Sequence, residues 1–311
     1  MSGTLARALR RLLALELGLY LLVGAWLVVA RGWGAGPAAL LAVGCALAAR
    51  MGFGLATYAL AWWWHNPVPP AFRVGPFALI RHVVAELAAI VAAFTVLQPF
   101  ERAWMGAAGP APQRGRRLPV LLVHGYVCNR AVWRSLLRAL SARGECVHAV
   151  SFEPVYGAID RWVPQLAACI DELLATTSRE RVVLVTHSMG GLAARAYLRA
   201  HGGAKVARVI TLGAPHHGSL HAHLGAGENA RQMEPGSPWL TALAASERGG
   251  IAAPLVSIYS HHDDFVAPQA SAAHPHARNV ALAGVGHLTM LFSRPVRELL
   301  LQEIDAANAA R

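Results

Sequence analysis

The chain has 311 residues, which is enough for one enzyme-sized domain and an additional segment. Apolar residues make up 55% of the chain and charged residues 14%, whereas soluble domains average about 45–50% and about 25%. This bias excludes an ordinary water-soluble protein and predicts that part of the chain lies in lipid. The net charge of +11 does not indicate nucleic-acid binding, because the arginines are scattered and no nucleic-acid-binding motif accompanies them.

Three apolar segments within residues 1–105 are long enough to cross a bilayer. They run from Leu12 to Ala30, from Pro37 to Trp64 and from Val83 to Phe100. The second ends in three consecutive tryptophans, which is typical of a helix that ends at the membrane interface. A cleaved signal peptide would account for one such segment but not for three. The sequence therefore predicts two or three transmembrane helices, in contact with membrane lipids.

Three charged residues, Glu16, Arg50 and Glu86, interrupt these apolar segments. Charges within a membrane are costly, so they are usually paired or placed for a function. We expect these three to pair with one another or to extend toward the lipid headgroups, with a functional role as the alternative.

The arginines around the first segment bear on orientation. Arg7, Arg10 and Arg11 precede the segment and only Arg31 follows it, which favours a cytoplasmic N-terminus. With three spans, the C-terminal domain then lies outside the cytoplasm, which is the orientation that we predict. If the third segment only lies along the membrane surface, the domain faces the cytoplasm instead.

The composition changes near residue 110. Residues 106–117 are rich in glycine, proline and alanine and are typical of a linker. We place the domain boundary there, with a catalytic domain at 118–311, and expect 112–311 to fold without the membrane segment.

Within the domain, short aliphatic runs alternate with amphipathic stretches of helical length. This alternation predicts an α/β fold, with a mostly parallel sheet covered by helices on both faces. The predicted strands are 118–123, 146–152, 181–186, 206–212, 254–260 and 279–283, and the predicted helices are 130–142, 159–175, 189–201, 237–246 and 294–308.

Three residues with the chemistry of a serine hydrolase, Ser188, Asp263 and His287, each lie just past the end of a predicted strand. Carboxyl ends of parallel strands meet at one edge of a sheet, which is where such sheets place their active sites. The order Ser, Asp, His along the chain is that of α/β-hydrolases. Histidine takes the proton of the serine, and the acid orients the imidazole. We therefore predict these three residues as a catalytic triad.

The remaining parts of such a site can also be assigned. Backbone N–H groups of Met189 and Tyr126 are expected to form the oxyanion hole. Asp264 is the alternative acid, but the spacing of Asp263 to Val266 favours Asp263 and leaves Asp264 as a solvated neighbour. Thr186 stands where a nucleophile elbow usually has glycine.

Four motifs carry a family resemblance. The segment Thr-His-Ser-Met-Gly-Gly at 186–191 resembles the Ala-His-Ser-Met-Gly-Gly elbow of small bacterial triacylglycerol lipases. The segments 211–219, 256–263 and 277–287 resemble the Thr-Leu-Gly-x-Pro segment, the acid segment and the histidine segment of lipases. The resemblance covers about 118–308 and implies an α/β-hydrolase that hydrolyses esters without a cofactor.

Residues 216–223 contain four histidines, His216, His217, His221 and His223. No acid or cysteine accompanies them at ligand spacing, so we predict no metal site and interpret the segment as a surface loop or a flexible lid over the active site. Met233, Trp239 and Leu240 are expected to give apolar surface to an acyl chain.

Together these features predict a membrane-anchored hydrolase of lipid-like esters that works through an acyl-enzyme intermediate, in a bacterial inner membrane. The alternatives are an acyltransferase, a thioesterase or a lipid deacylase of the same fold, or an inactive membrane scaffold.

Overall fold

A computed structural model describes residues 3–106 and 117–310, so most of the predicted linker lies outside the described residues. The N-terminal segment contains four α-helices, with the third continued by a π-helical turn to Leu97. They are α1 (Thr4–Arg31), α2 (Ala35–Trp63), α3 (Pro76–Val91) and α4 (Glu101–Met105). Of the helices in the described residues, three are long and apolar enough to cross a membrane: α1, α2 and α3 with its extension.

The C-terminal part contains one sheet of six strands. They are β1 (Val120–Val123), β2 (Val147–Val150), β3 (Val182–His187), β4 (Val206–Leu212), β5 (Leu255–Ser260) and β6 (Ala277–Leu282). The strand order is β2-β1-β3-β4-β5-β6, and every neighbouring pair is parallel. Apolar runs became strands because both faces of the sheet are covered, which confirms the predicted fold class.

Helices lie between the strands and after the last one, five of them at predicted positions and one, Glu228–Gln232, where the sequence predicts none. They are α5 (Arg134–Ala142), α6 (Val163–Thr177), α7 (Met189–His201), α8 (Glu228–Gln232), α9 (Pro238–Ser246) and α10 (Arg294–Ala309). Apolar side chains on the two faces of the sheet form two separate core clusters.

Helices α1 and α2 form a hairpin whose turn lies at Gly32–Gly34. Within residues 11–53, all of which the structure describes, only Leu27 and Ala38 are buried. A bidentate ion pair joins Arg50 to Glu16, with N–O distances of 2.6 and 2.7 Å. The predicted pairing of charges is therefore confirmed for two of the three residues.

Helix α3 packs along the sheet domain. Ala89, Ile90, Ala93 and Leu97 belong to the same core cluster as Trp133 of the domain. The segment 106–117 therefore separates two parts of the sequence, but these two parts share one hydrophobic core. This shared core argues against the expectation that 112–311 folds alone, because removing α3 would expose its apolar contact surface to water.

Candidate active site

Ser188 occupies a sharp turn between β3 and α7, with φ 54° and ψ −129°. A residue with a side chain rarely adopts this conformation, which costs about 1–3 kcal/mol. Ser188 N–H donates to the carbonyl of Leu212 (2.9 Å), and Gly191 N–H donates to the carbonyl of Ser188 (2.9 Å). The strained turn holds the hydroxyl at the carboxyl end of the sheet, as in a nucleophile elbow.

Two glycines allow this turn to pack closely. A Cβ atom on Gly190 would lie 2.6 Å from the carbonyl oxygens of Val123 and His124, and one on Gly125 would lie 2.7 Å from the Cβ of Ser188. Thr186 fits the elbow because it is still part of β3, paired with β4. The close contact with the neighbouring backbone occurs instead at Gly190, two residues after the serine.

His287 and Asp263 meet behind the serine. His287 Nδ1 lies 2.9 Å from Asp263 Oδ2, and Asp263 Oδ1 accepts from the N–H groups of Phe265 (2.9 Å) and Val266 (2.8 Å). Burial acts to raise the pKa of Asp263, but His287 and these N–H donors outweigh it and lower that pKa. Burial acts to lower the pKa of His287, but Asp263 outweighs it and raises that pKa. Asp263 is therefore ionised and stabilises a protonated imidazole.

Asp264 is fully buried, so the expectation of a solvated neighbour is wrong. Its carboxyl accepts from His287 N–H (3.2 Å) and lies 2.8 Å from the hydroxyl of Thr57. That hydroxyl also lies 2.7 Å from the carbonyl of Gly54, so one proton would face two acceptors if Asp264 were ionised. Burial, together with Glu86 and Asp263, raises the pKa of Asp264 well above its usual range. A neutral Asp264 that donates to Thr57 satisfies this arrangement.

The loop after β1 lines the same cavity as Ser188, which places Tyr126 next to the elbow. Within the loop, Val127 adopts the left-handed region at φ 48°, which is rare for a β-branched residue. His124 holds the start of the loop, because its Nε2 accepts from Phe152 N–H (3.0 Å) and its Nδ1 lies 2.9 Å from the carbonyl of Gly125. Burial lowers the pKa of His124 to about 4, so the ring is neutral.

His187 is a further positioning contact that the sequence did not reveal. Its Nε2 lies 3.0 Å from the carbonyl oxygen of His287, and the two rings are 4.5 Å apart. Burial and the neighbouring His287 lower the pKa of His187 to about 3. A neutral His187 therefore donates to the backbone of His287.

Glu86 does not pair with Glu16 or Arg50 and does not reach toward solvent, so that expectation is wrong. The side chain is fully buried and accepts three hydrogen bonds from Leu288 and Thr289. These residues directly follow His287, 202 and 203 positions along the chain from Glu86, so no local pattern could have shown the contact.

An apolar cavity of about 490 Å³ lies in front of Ser188 and His287. This volume is within the range of about 300–1,000 Å³ found for small-molecule sites. Helix α2 and the extension of α3 form part of its wall, and the segment Leu220–Leu224, which contacts α2 through His221, also lines it. Its apolar lining includes Phe53, Leu60, Phe94, Leu224, Met233, Phe265 and Leu288.

The chain just after this segment is bound by Tyr126, whose hydroxyl donates to the carbonyl of Ala226 (2.7 Å) and accepts from its N–H (2.8 Å). Met233 lines the cavity as expected, whereas Leu240 and Trp239 pack with the core cluster on one face of the sheet. Trp239 also donates from Nε1 to Asp160 (2.6 Å).

The four histidines of 216–223 do not converge. His216 contacts Thr211, His217 stacks on His274, His221 contacts Thr57 and His223 lies near Glu234. Among residues 3–106 and 117–310, no group of three or more His, Cys, Asp or Glu side chains is placed to hold a metal ion.

Fold and site together define the C-terminal part of this chain as an α/β-hydrolase-fold structure. Residues 119–248 match the family model described as alpha/beta hydrolase fold. Two curated triacylglycerol lipases, from Pseudarthrobacter phenanthrenivorans and Burkholderia plantarii, are each 35% identical over 115 residues. These matches cover 34% of this chain and 35% and 32% of the two lipases, so the chain spans about a third of their length. The resemblance to bacterial triacylglycerol lipases is confirmed.

Solved structures support the fold. The mature lipase BlEst2 of Bacillus licheniformis matches 63% of this chain and 96% of its own, with a TM-score of 0.56 and 18% identity. Lipase B of Aspergillus fumigatus matches 66% of this chain and 57% of its own, with a TM-score of 0.56 and 19% identity. Both confirm the α/β-hydrolase fold predicted from the sequence.

Proposed function

We propose that this protein is a membrane-anchored serine hydrolase that cleaves carboxylic esters of lipids through an acyl-enzyme intermediate. The observation that carries the proposal is the position of Ser188 and His287 at one apolar cavity, with Asp263 bound to the far side of the imidazole. The relatives named as triacylglycerol lipases support the same chemistry.

The reaction begins when Ser188 Oγ attacks the ester carbonyl carbon and His287 Nε2 takes the hydroxyl proton. The carbonyl oxygen becomes an oxyanion, for which we assign the backbone N–H groups of Tyr126 and Met189 as donors. When the carbon–oxygen bond breaks, the leaving alcohol takes the proton from His287. Water then attacks the acyl-enzyme, His287 accepts one of its protons and returns it to Ser188, and the acid leaves.

The cavity indicates which esters fit. Phe53 and Leu224 stand at its rim, and 53% and 68% of their respective surfaces are exposed. Phe53 lies on α2, so one side of the opening is formed by a helix that we place in the bilayer. An acyl chain can therefore pass from the lipid phase into the cavity without crossing water, which favours long-chain lipid esters.

Labelling with a fluorophosphonate probe tests the nucleophile, and a panel of esters from acetyl to palmitoyl tests the substrate class. We expect labelling and release of free acid that increases with chain length. If the protein acted only on thioesters or amides, that hydrolysis would be its reaction in place of ester hydrolysis. If it transferred the acyl group to an alcohol without releasing acid, it would be an acyltransferase. An unlabelled and inactive protein would be a scaffold.

We expect Phe53→Ala to lower kcat/KM for long-chain esters by about tenfold and to leave short-chain esters nearly unchanged, because only long chains reach the rim. Leu55→Ala is the matched control, since Leu55 is equally exposed on α2 but does not line the cavity. If Leu55→Ala lowered kcat/KM for long-chain esters by the same factor, α2 would act through the membrane and not through the cavity.

For the orientation, the contacts of α3 favour two spans and not three. Phe72, just before α3, lies 4.7 Å from the ring of His261, and Gln98, just after its extension, accepts from Asn129 N–H (2.9 Å). A spanning helix has its ends on opposite sides of the bilayer, whereas both ends of α3 meet one domain. We therefore propose that α1 and α2 span, and that the apolar outer face of α3 lies against the membrane.

A two-span hairpin puts the hydrolase domain on the side of the N-terminus, where Arg7, Arg10 and Arg11 lie, whereas Arg31 stands alone at the hairpin turn. We expect the domain to face the cytoplasm. Green fluorescent protein fused after Arg311 should fluoresce, and alkaline phosphatase there should be inactive. As the control, phosphatase fused after Gly34 should be active. Active phosphatase and no fluorescence after Arg311, with phosphatase after Gly34 still active, would restore three spans and an outward domain.

A further inference from the structure

We propose that the membrane segment completes the active site: Glu86 of α3 is a positioning residue that holds the segment following His287 in the reactive geometry. This inference rests on the proposed hydrolase function, since it assigns Glu86 a role in that reaction. Glu86 reaches no reacting atom itself and acts through the backbone next to the catalytic base.

The carboxylate binds the segment at three points. Glu86 Oε1 accepts from Leu288 N–H (2.7 Å), and Oε2 accepts from Thr289 N–H (2.8 Å) and from the Thr289 hydroxyl (2.5 Å). Hydrogen bonds to a carboxylate are about twice as strong as those between neutral groups. The two residues that follow the catalytic base are therefore anchored to a single side chain of α3.

Gly286, the residue before His287, packs directly against this carboxylate. A Cβ atom on Gly286 would lie 2.2 Å from Glu86 Oε2 and 2.6 Å from its Cδ. Any larger residue would push the backbone away from α3, so the close packing of Glu86 explains why glycine is needed there. The carboxylate thus contacts the chain on both sides of His287.

Helix α2 holds the same backbone from a second side. Thr57 of α2 contacts the Asp264 carboxyl, and Asp264 in turn accepts from His287 N–H (3.2 Å). The N–H groups of three successive residues, from His287 to Thr289, are therefore all bound by carboxyl groups that contact or belong to the membrane helices.

The position of the His287 imidazole depends on the backbone that Glu86 and Asp264 bind. The hydrogen bond to Asp263 fixes the direction of the imidazole but not the distance of its Nε2 from Ser188, which follows from the position of the His287 backbone. A displacement of about 1 Å at a catalytic group can cost about 10²-fold in rate. Burying a carboxylate is costly unless it is fully hydrogen-bonded, and Glu86 meets that condition only with the segment after His287 in place.

The test compares Glu86→Gln with Glu303→Gln in full-length protein in detergent. Glu303 is also a buried carboxylate, but it binds Arg208 and Arg278 where β4 and β6 begin, at the opposite end of the sheet. We expect both variants to lower the melting temperature. Only Glu86→Gln should lower kcat, by about 10²-fold, with KM within about twofold of wild type because, among the described residues, Leu288 is the only cavity-lining residue that Glu86 contacts. Glu86→Asp should recover part of the loss.

Wild-type kcat in a folded Glu86→Gln variant, or equal kcat losses in Glu86→Gln and Glu303→Gln, would overturn the inference and leave Glu86 as a structural residue. If Glu86→Gln does not fold, Thr289→Val removes one of the three bonds and should lower kcat by a smaller factor. A wild-type kcat in Thr289→Val would then overturn the inference that Glu86 positions His287. Probe labelling of wild-type protein separates this result from a failure of the proposed function, because an unlabelled wild type would overturn both.

Discussion

Ser188→Ala is expected to abolish ester hydrolysis and fluorophosphonate labelling while the protein still folds and inserts. Without its Oγ no acyl-enzyme can form, and loss of the nucleophile costs about 10⁴-fold or more in turnover. Alanine keeps the Cβ that the turn at φ 54° already accommodates, so the elbow itself should be unchanged. The melting temperature should therefore stay close to that of wild type.

The measurement is probe labelling followed by hydrolysis of one long-chain ester, at equal amounts of folded protein. Ser141→Ala is a suitable control, because Ser141 is an exposed serine on α5, far from the elbow in sequence. The control should label like wild type. Labelling that persists in Ser188→Ala would place the nucleophile elsewhere and remove the basis of the proposed function.

The position of Ser188 could be predicted because the pattern around it is local. The run from Val182 to Thr186 is aliphatic and β-branched, and two glycines, Gly190 and Gly191, come shortly after the serine, so strand, turn and helix can all be inferred within ten residues. The predicted ends of the six strands lie within two residues of the observed ends for the same reason.

The contacts between the N-terminal helices and the sheet domain could not be predicted. Glu86 meets Leu288 across 202 positions, and Thr57 meets Asp264 across 207, with no pattern in either segment that refers to the other. Hydropathy correctly identified α3 as long and apolar, but it cannot distinguish an apolar face buried in lipid from one buried against protein. For this reason the hydropathy of the sequence alone does not determine the number of spans or the side of a membrane that the domain faces.

Asp263→Asn is expected to lower kcat/KM by about 10⁴-fold, the loss seen when a triad aspartate becomes an amide. The amide still fits between Phe265 N–H and His287, but it presents an N–H where the imidazole Nδ1 needs an acceptor. The histidine then turns to the tautomer that cannot take the serine proton. Asp263 also raises the pKa of His287, so its loss should lower that pKa.

Asp264→Asn is the matched comparison, because the adjacent carboxyl is also fully buried and also contacts His287, through its backbone N–H. Its raised pKa makes the wild-type group a neutral acid, and asparagine is close to it in shape, with a donor for Thr57 and an acceptor for the N–H of His287. We expect kcat/KM to fall by less than about tenfold, since the imidazole keeps its own partner.

The two variants also differ in their pH profiles. Histidine acts as a base only when neutral, so activity is lost as the pH falls through the pKa of His287, which Asp263 holds above its ordinary value of about 6.5. In Asp263→Asn the acid limb of the residual activity should therefore move to lower pH, whereas in Asp264→Asn it should stay within about half a unit of wild type, since a neutral side chain replaces a neutral one. If Asp264→Asn showed the larger loss and the larger displacement, the catalytic acid would be Asp264, and the hydrogen bond between Asp263 and His287 would be structural.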